Sequence, residues 1–237
     1  MEIFCEIAGL CVKMDTFGRT LEQAQPYISE PPAGQPDIVI RADSAAIQRQ
    51  QPHLTQDECE YLATGDSFYR QLLAHGGMLL HASAVVMDGY AYLFSAPCGT
   101  GKSTHTGIWQ QVFGTQRARI LNDDKPALRW DGRRFLAFGT PWSGKSYLNE
   151  NCCVPVAGVC MLRRGEVNRI APYGGVGAIR ALLEQTVRPR DNAAMSALLD
   201  LTDKLLTHVN VWQMECNMDP EAAIVSHAAM SAAIREK

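Results

Sequence analysis

Residues 79–104 read LLHASAVVMDGYAYLFSAPCGTGKST. Two apolar runs, 79–87 and 90–95, are separated by Asp88-Gly89, the dipeptide best suited to a tight β-hairpin turn. The second run enters Ala96-Pro-Cys-Gly-Thr-Gly-Lys-Ser-Thr104. Residues 104–113 then carry a helical pattern that Gly114 closes. A strand, a glycine-rich loop and a helix in that order make a phosphate cradle, because loop amides and the helix N-terminus converge on an anion. In this reading Ala96, Pro97, Cys98, Gly99, Thr100, Gly101, Lys102, Ser103 and Thr104 form the nucleotide loop. Gly99 and Gly101 allow close backbone approach. Lys102 reaches the β- and γ-phosphates, the Ser103 hydroxyl holds Mg²⁺, and Thr104 takes a phosphate oxygen.

A second stretch competes. Gly139-Thr-Pro-Trp-Ser-Gly-Lys-Ser146 fits G-x-x-x-x-G-K-[ST] letter for letter, whereas the first stretch has Ala96 in place of the leading glycine. No good helix follows it, since residues 147–153 are short and rich in asparagine before Pro155. The physics therefore favours the first stretch. Residues 139–146 are left as a loop in which Lys145 clamps a substrate or the γ-phosphate, or else as a turn with Trp142 tucked into the core.

A magnesium site needs an acid near the loop. The strand 119–121 ends at Asn122-Asp123-Asp124, about 20 residues beyond Lys102. Mg²⁺ binds through one or two carboxylates together with phosphate oxygens. A second carboxylate can accept the proton of an attacking hydroxyl. Asp123 and Asp124 would divide these two roles, with Ser103 beside the metal. Arg188 and Arg190 flank a rigid proline after a helix. They either neutralise charge during transfer or pair with the helix dipole. His81, taken by itself, reads as a packed core histidine.

The rest of the chain gives context. With 237 residues, 46% hydrophobic and 20% charged, it is composed to bury a core, and a net charge of −3 gives no basic field for nucleic acid or anionic lipid. No apolar run reaches the length of about 18 residues that spans a membrane. The first 15 residues lack the order of a signal peptide. A cytoplasmic protein is expected, with its eight cysteines mostly buried reduced thiols.

Residues 1–75 are expected to form an α+β lobe: a strand or hairpin over 1–14, a proline-rich loop over 26–36, and a short strand over 37–41. A helix follows, opened by a Thr55–Glu58 capping box, and then a second helical stretch over 68–73. Residues 76–237 form the phosphate-loop domain. It contains strands at 135–138, 154–162 and 209–213, and helices at 177–185, from an Asn192 cap, and after Asp219-Pro220-Glu221. The fold class is α/β with a mixed sheet.

Residues 79–104, with ILNDDKPAL and GTPWSGK downstream, resemble the HPr kinase and phosphoenolpyruvate carboxykinase superfamily, most closely its small HPr-kinase-related bacterial members. The likeness is best over residues 79–162. It implies an ATP- and Mg²⁺-dependent serine kinase-like phosphotransferase of the mixed-sheet P-loop type, with the acidic site at Asp123 and Asp124, one acting on the proton and the other on the metal, Asp124 being the choice for the metal. His81 matches the histidine of the hairpin. A later Gly-Arg-Asn stretch tied to HPr kinase phosphorylase activity and hexamer formation is missing, as are the carboxykinases' oxaloacetate-binding arginines. The expected acceptor is a hydroxyl, a serine of a peptide or protein or a free amino acid, and a homo-oligomer is left open. Two alternatives stand beside this: a nucleotide-binding regulatory module without turnover, and a generic P-loop ATP hydrolase.

Overall fold

In the computed structural model, which describes residues 1–235, the Asp88-Gly89 hairpin lies inside the main sheet. Its strands are β5 (Ala82–Met87) and β6 (Tyr90–Ser95). Asp88 and Gly89 both take positive φ, +53° and +82°, as a two-residue turn of this kind requires. Every residue of β5 is buried, which explains a strand without polar alternation. The expected single strand 79–87 is divided. Gly77–Leu79 is β4, paired with a different strand. Between β4 and β5 the backbone leaves the ladder, and the His81 N–H donates to the Gln185 carbonyl at 2.7 Å.

The remaining elements follow in chain order. Before the hairpin come β1 (Glu2–Ile7), β2 (Leu10–Asp15), α1 (Gly18–Ala24), β3 (Ile38–Val39), α2 (Ser44–Gln50) and α3 (Gln56–Leu72). After it come α4 (Lys102–Phe113), β7 (Arg119–Asn122), β8 (Ala127–Trp130), β9 (Phe135–Phe138), β10 (Cys153–Arg164), β11 (Arg169–Pro172), α5 (Gly175–Glu184), α6 (Asn192–His208), β12 (Asn210–Cys216) and α7 (Glu221–Arg235).

The chain is a mixed α/β fold. The large sheet runs β4-β8-β9-β10-β6-β5-β7, with β12 and then β11 branching from β10. Strands β6, β10 and β12 are parallel, and β5 and β7 run antiparallel to their neighbours. One face packs α4 and α7 through Ile108, Trp109 and Met230. The other packs α5 and α6 through Leu182, Leu198 and Leu205.

Residues 1–75 carry a separate three-stranded sheet, β1-β2-β3, with α1 to α3. Its apolar cluster runs without a break into Leu79, Ala127 and Trp142 of the larger part. The two expected helical stretches after Thr55 are one continuous α3. Gly65 sits in mid-helix because the Trp142 ring lies against it; an added Cβ would be 3.1 Å from Trp142 Cδ1. The capping box at Thr55 forms as expected. The cap of α6 is Asp191 rather than Asn192, its carboxylate accepting from the Ala193 and Ala194 amides. Cys98 and Cys153 are exposed rather than buried, and among the described residues all eight cysteines are free thiols. No helix among the described residues is long and apolar enough to cross a membrane.

Candidate active site

The loop 96–101 leaves the C-terminal end of β6 and enters α4. Gly99 and Gly101 hold φ of +76° and +118°, so the chain turns there only because these positions lack a Cβ. Gly101 is the N-cap of α4, and no side chain caps that end. The amides of Lys102, Ser103 and Thr104 therefore have no acceptor within the helix. On the outer side Arg164, at the end of β10, donates to the carbonyls of Thr100 at 3.3 Å and of Gly99.

Pro97, Cys98 and Gly99 are exposed at the tip, and the Thr100 N–H turns back to the Pro97 carbonyl at 3.2 Å. Ala96 is buried beneath them. The Ser103 and Thr104 side chains are exposed and have no partner among the described residues. Lys102 is buried and donates to the Ala96 carbonyl at 3.0 Å. Burial lowers its pKa, against the pull of Asp124, Cys98 and Asp123.

Asp123 and Asp124 stand at the end of β7, beyond β5, and turn to different partners. Asn122 makes that turn: its Oδ1 accepts from the Asp124 and Lys125 amides at 3.0 and 2.7 Å, while its amide group donates to Thr140. Asp123 accepts through Oδ1 from Ser83 on β5 at 2.6 Å. Ser83 in turn meets the Thr106 hydroxyl at 2.7 Å. Thr106 lies one turn along α4 from Ser103, so both are on one side of the helix. Asp123 Oδ2 has no partner among the described residues.

Asp124 is held on both oxygens, by His81 Nε2 at 3.0 Å and by Lys125 Nζ. Burial alone raises its pKa, but the His81 hydrogen bond and the charge and hydrogen bond of Lys125 overcome that and bring it down to about 2. His81 is therefore not a packed core histidine; its side chain is 29% exposed and faces a carboxylate.

The exact-match stretch 139–146 leads into turns and not a helix. Trp142 is fully buried and stacked on Phe68, with centroids 4.9 Å apart. The stretch nevertheless forms a wall of the site. An added Cβ on Gly144 would be 3.1 Å from Asp124 Cβ. The first 75 residues pin this wall. The Gly144 N–H donates to Tyr61 Oη at 2.7 Å, Gln23 bonds Ser143 and the Gly144 carbonyl, and Tyr69 Oη donates to the Lys125 carbonyl. Lys145 is exposed with no hydrogen bond or ion pair among the described residues, Glu58 being a charged neighbour. Arg188 and Arg190 are likewise exposed and unpaired, on the segment that begins at Gln185 beside His81.

Sequence reasoning missed Ser83, Thr106, Lys125, Tyr61, Tyr69, Gln23 and Arg164. Only Lys125, adjacent to the acidic pair, carried a local signal. The others reach the site through tertiary packing.

No protein-family model matches the chain, and no curated protein matches it. Among solved structures it is similar to the Hpr(Ser) kinase/phosphatase from Coxiella burnetii, at 10% identity and a TM-score of 0.36, over 67% of this chain and 97% of that one. At that TM-score the likeness adds nothing to the geometry.

Proposed function

We propose that the protein is an ATP-dependent phosphotransferase that binds the triphosphate at residues 96–104 and passes the γ-phosphoryl group to a hydroxyl. The observation that carries this is one layout. Uncapped amides and a buried lysine lie at the end of β6, and a pair of carboxylates with separate partners lies at the end of β7, one strand beyond β5. Phosphoryl transfer asks a protein mainly for positioning and charge stabilisation, and this layout offers both.

Roles follow from free lone pairs. Mg²⁺ bound with the nucleotide would supply positive charge to its β- and γ-oxygens. Among the described residues no group of three or more His, Cys, Asp or Glu is placed to hold a metal alone, which suits an ion carried chiefly by phosphate. Ser103 and Asp123 would hold it, because Asp123 is linked through Ser83 to Thr106, one turn from Ser103, and its second oxygen has no partner among the described residues. Asp124 takes the acceptor instead of the metal first assigned to it. Each carboxylate oxygen has a second lone pair, so Asp124 can still accept the hydroxyl proton while His81 and Lys125 fix its plane. The acceptor oxygen bonds to γ-phosphorus, the bond to the β,γ-bridging oxygen breaks, and ADP leaves. Lys145 follows Gly144 at Asp124, and Arg188 and Arg190 follow Gln185 at His81; their charges would suit the transferred group or the acceptor.

The test is binding of Mg·AMP-PNP and release of ADP from MgATP, with and without hydroxyl acceptors, by the wild type and Lys102→Ala. Loss of both in a folded variant supports the assignment; undiminished binding and turnover refutes it. Tight binding without turnover for any acceptor favours the regulatory module. Steady ADP release that no acceptor stimulates favours a hydrolase.

A further inference from the structure

The first 75 residues bring a cation to the Asp124 side of the molecule that the phosphate loop does not use. Arg19, in the first turn of α1, stacks its guanidinium on the Tyr61 ring, with Cζ 4.0 Å from the centroid. Lys125 Nζ lies 5.0 Å from the same centroid, and Lys125 is the residue paired with Asp124. Tyr61 Oη accepts the Gly144 N–H, and a Cβ added to Gly144 would meet Asp124. Lys145 follows directly, and the charges of Arg19 and Lys145 both act on Glu58. One tyrosine thus joins Arg19 to the carboxylate that takes the acceptor.

In this cluster the donors are left over and the acceptors are spent. The Arg19 side chain is 12% exposed, its Nε is buried without a hydrogen-bond partner, and its guanidinium makes no hydrogen bond among the described residues. Asp57 gives Oδ1 to the Arg19 backbone N–H at 2.7 Å and brings Oδ2 only to 3.9 Å from Nε, too far for a hydrogen bond. Glu58 is taken by the Thr55 N–H and hydroxyl, and Glu22 accepts from the Tyr147 hydroxyl. Lys145 and Tyr147 are exposed, so the cluster borders solvent. A guanidinium offers five N–H donors in a planar fork, and leaving such donors buried and unpaired is costly. The partner that fits the fork is an oxyanion, a carboxylate or a phosphate group.

We infer that the phosphoryl acceptor is an anionic hydroxyl compound, its carboxylate or phosphate group bound by Arg19 together with Lys145 while its hydroxyl stands at Asp124. This rests on the reading of Asp124 as the carboxylate that takes the acceptor, and it draws the specificity residue from the lobe outside the phosphate-loop domain. A neutral alcohol or sugar leaves the guanidinium unpaired and is discriminated against on that ground.

The experiment follows the Arg19 Nε–H signal and the amide signals of Lys125 and Gly144 in the ¹H–¹⁵N spectrum of the full chain. Mg·AMP-PNP is present throughout, so that the phosphate loop is filled. Glycerol, glycerate and glycerol 3-phosphate are titrated at constant ionic strength, with sodium chloride as the control; they share hydroxyls and differ in the anionic group. Glycerate or glycerol 3-phosphate should move all three signals to saturation, and glycerol and chloride should move none. The tighter of the two anions identifies the group that the acceptor carries. Arg19→Gln, followed at Gly144, should weaken that anion at least tenfold, the effect of hydrogen bonds to a charged group. Arg19→Lys should weaken it by a smaller factor, since an ammonium keeps the charge and loses the fork. Thermal melting checks that each variant folds. No saturable shift at Arg19 with either anion, unchanged affinity in Arg19→Gln, or an anion that binds without moving Lys125 overturns the inference and leaves the phosphate loop standing. Failure of AMP-PNP to bind the wild type overturns the loop reading itself, and the acceptor role of Arg19 with it.

Discussion

Replacing Gly144 by alanine separates two costs that the structure lets one estimate. Gly144 has φ of +74°, and an L-residue held there costs about 1–2 kcal/mol. The new methyl would also be 3.1 Å from Asp124 Cβ and 3.4 Å from Cγ, closer than the roughly 3.5–4.0 Å of a relaxed carbon contact. The loop cannot retreat, because Tyr61 and Gln23 hold Ser143 and Gly144 in place. Asp124 must yield by a few tenths of an ångström. If a misplacement of about 1 Å costs roughly a hundredfold in rate, a shift of this size costs about tenfold.

The control is Gly89→Ala, at φ of +82° with nothing near the new methyl. Urea unfolding should show Gly89→Ala destabilised by about 1–2 kcal/mol and Gly144→Ala by at least as much. AMP-PNP affinity should stay within twofold in both. ADP release from MgATP should fall about tenfold in Gly144→Ala alone. Equal turnover in the two variants would refute the placement of Asp124 at the reacting centre.

Three further outcomes are expected. The Asp124 pKa is depressed in the folded chain, from 3.8 to about 2. It contributes about 2 kcal/mol of stability that is present above pH 5 and lost as pH falls through 2. Acid titration of unfolding should show Asp124→Asn losing that slope, and an unchanged slope contradicts the His81–Asp124–Lys125 arrangement. Tyr69→Phe removes a buried hydroxyl bonded to the Lys125 carbonyl and Thr140. Thr140 continues to satisfy that carbonyl, so the loss is limited to about 1 kcal/mol, or roughly 2–4 °C in Tm by calorimetry. Trp142→Ala empties a fully buried site stacked on Phe68 and should cost about 3–5 kcal/mol in urea unfolding; a loss below 1 kcal/mol contradicts its place in the core.

What the sequence disclosed depended on how local each cause is. The hairpin follows from Asp88-Gly89, and the α3 start from Thr55 and Glu58, because each is settled within four residues. Residues 96–104 stood out through glycine spacing and flanking elements, which also separated them from the closer letter match at 139–146. The continuity of α3 was hidden because Gly65 lies between the two helical stretches, and the Trp142 ring packed against it is 77 positions away. His81 looked like core because its partner lies 43 positions downstream and the strand break at Leu80–His81 depends on the Gln185 carbonyl. The contribution of residues 1–75 was illegible for the same reason, since Gln23, Tyr61 and Tyr69 act through distant hydrogen bonds.

The account turns on whether the backbone at 99–104 grips phosphate. The most direct measurement is the ¹H–¹⁵N amide spectrum of the full chain titrated with Mg·AMP-PNP. The amides of Gly99, Gly101, Lys102, Ser103 and Thr104 should move furthest and saturate together, with Asp123 following only when Mg²⁺ is present. If those amides stay in place while nucleotide binding shifts resonances elsewhere, such as 139–146, the triphosphate is seated at another site.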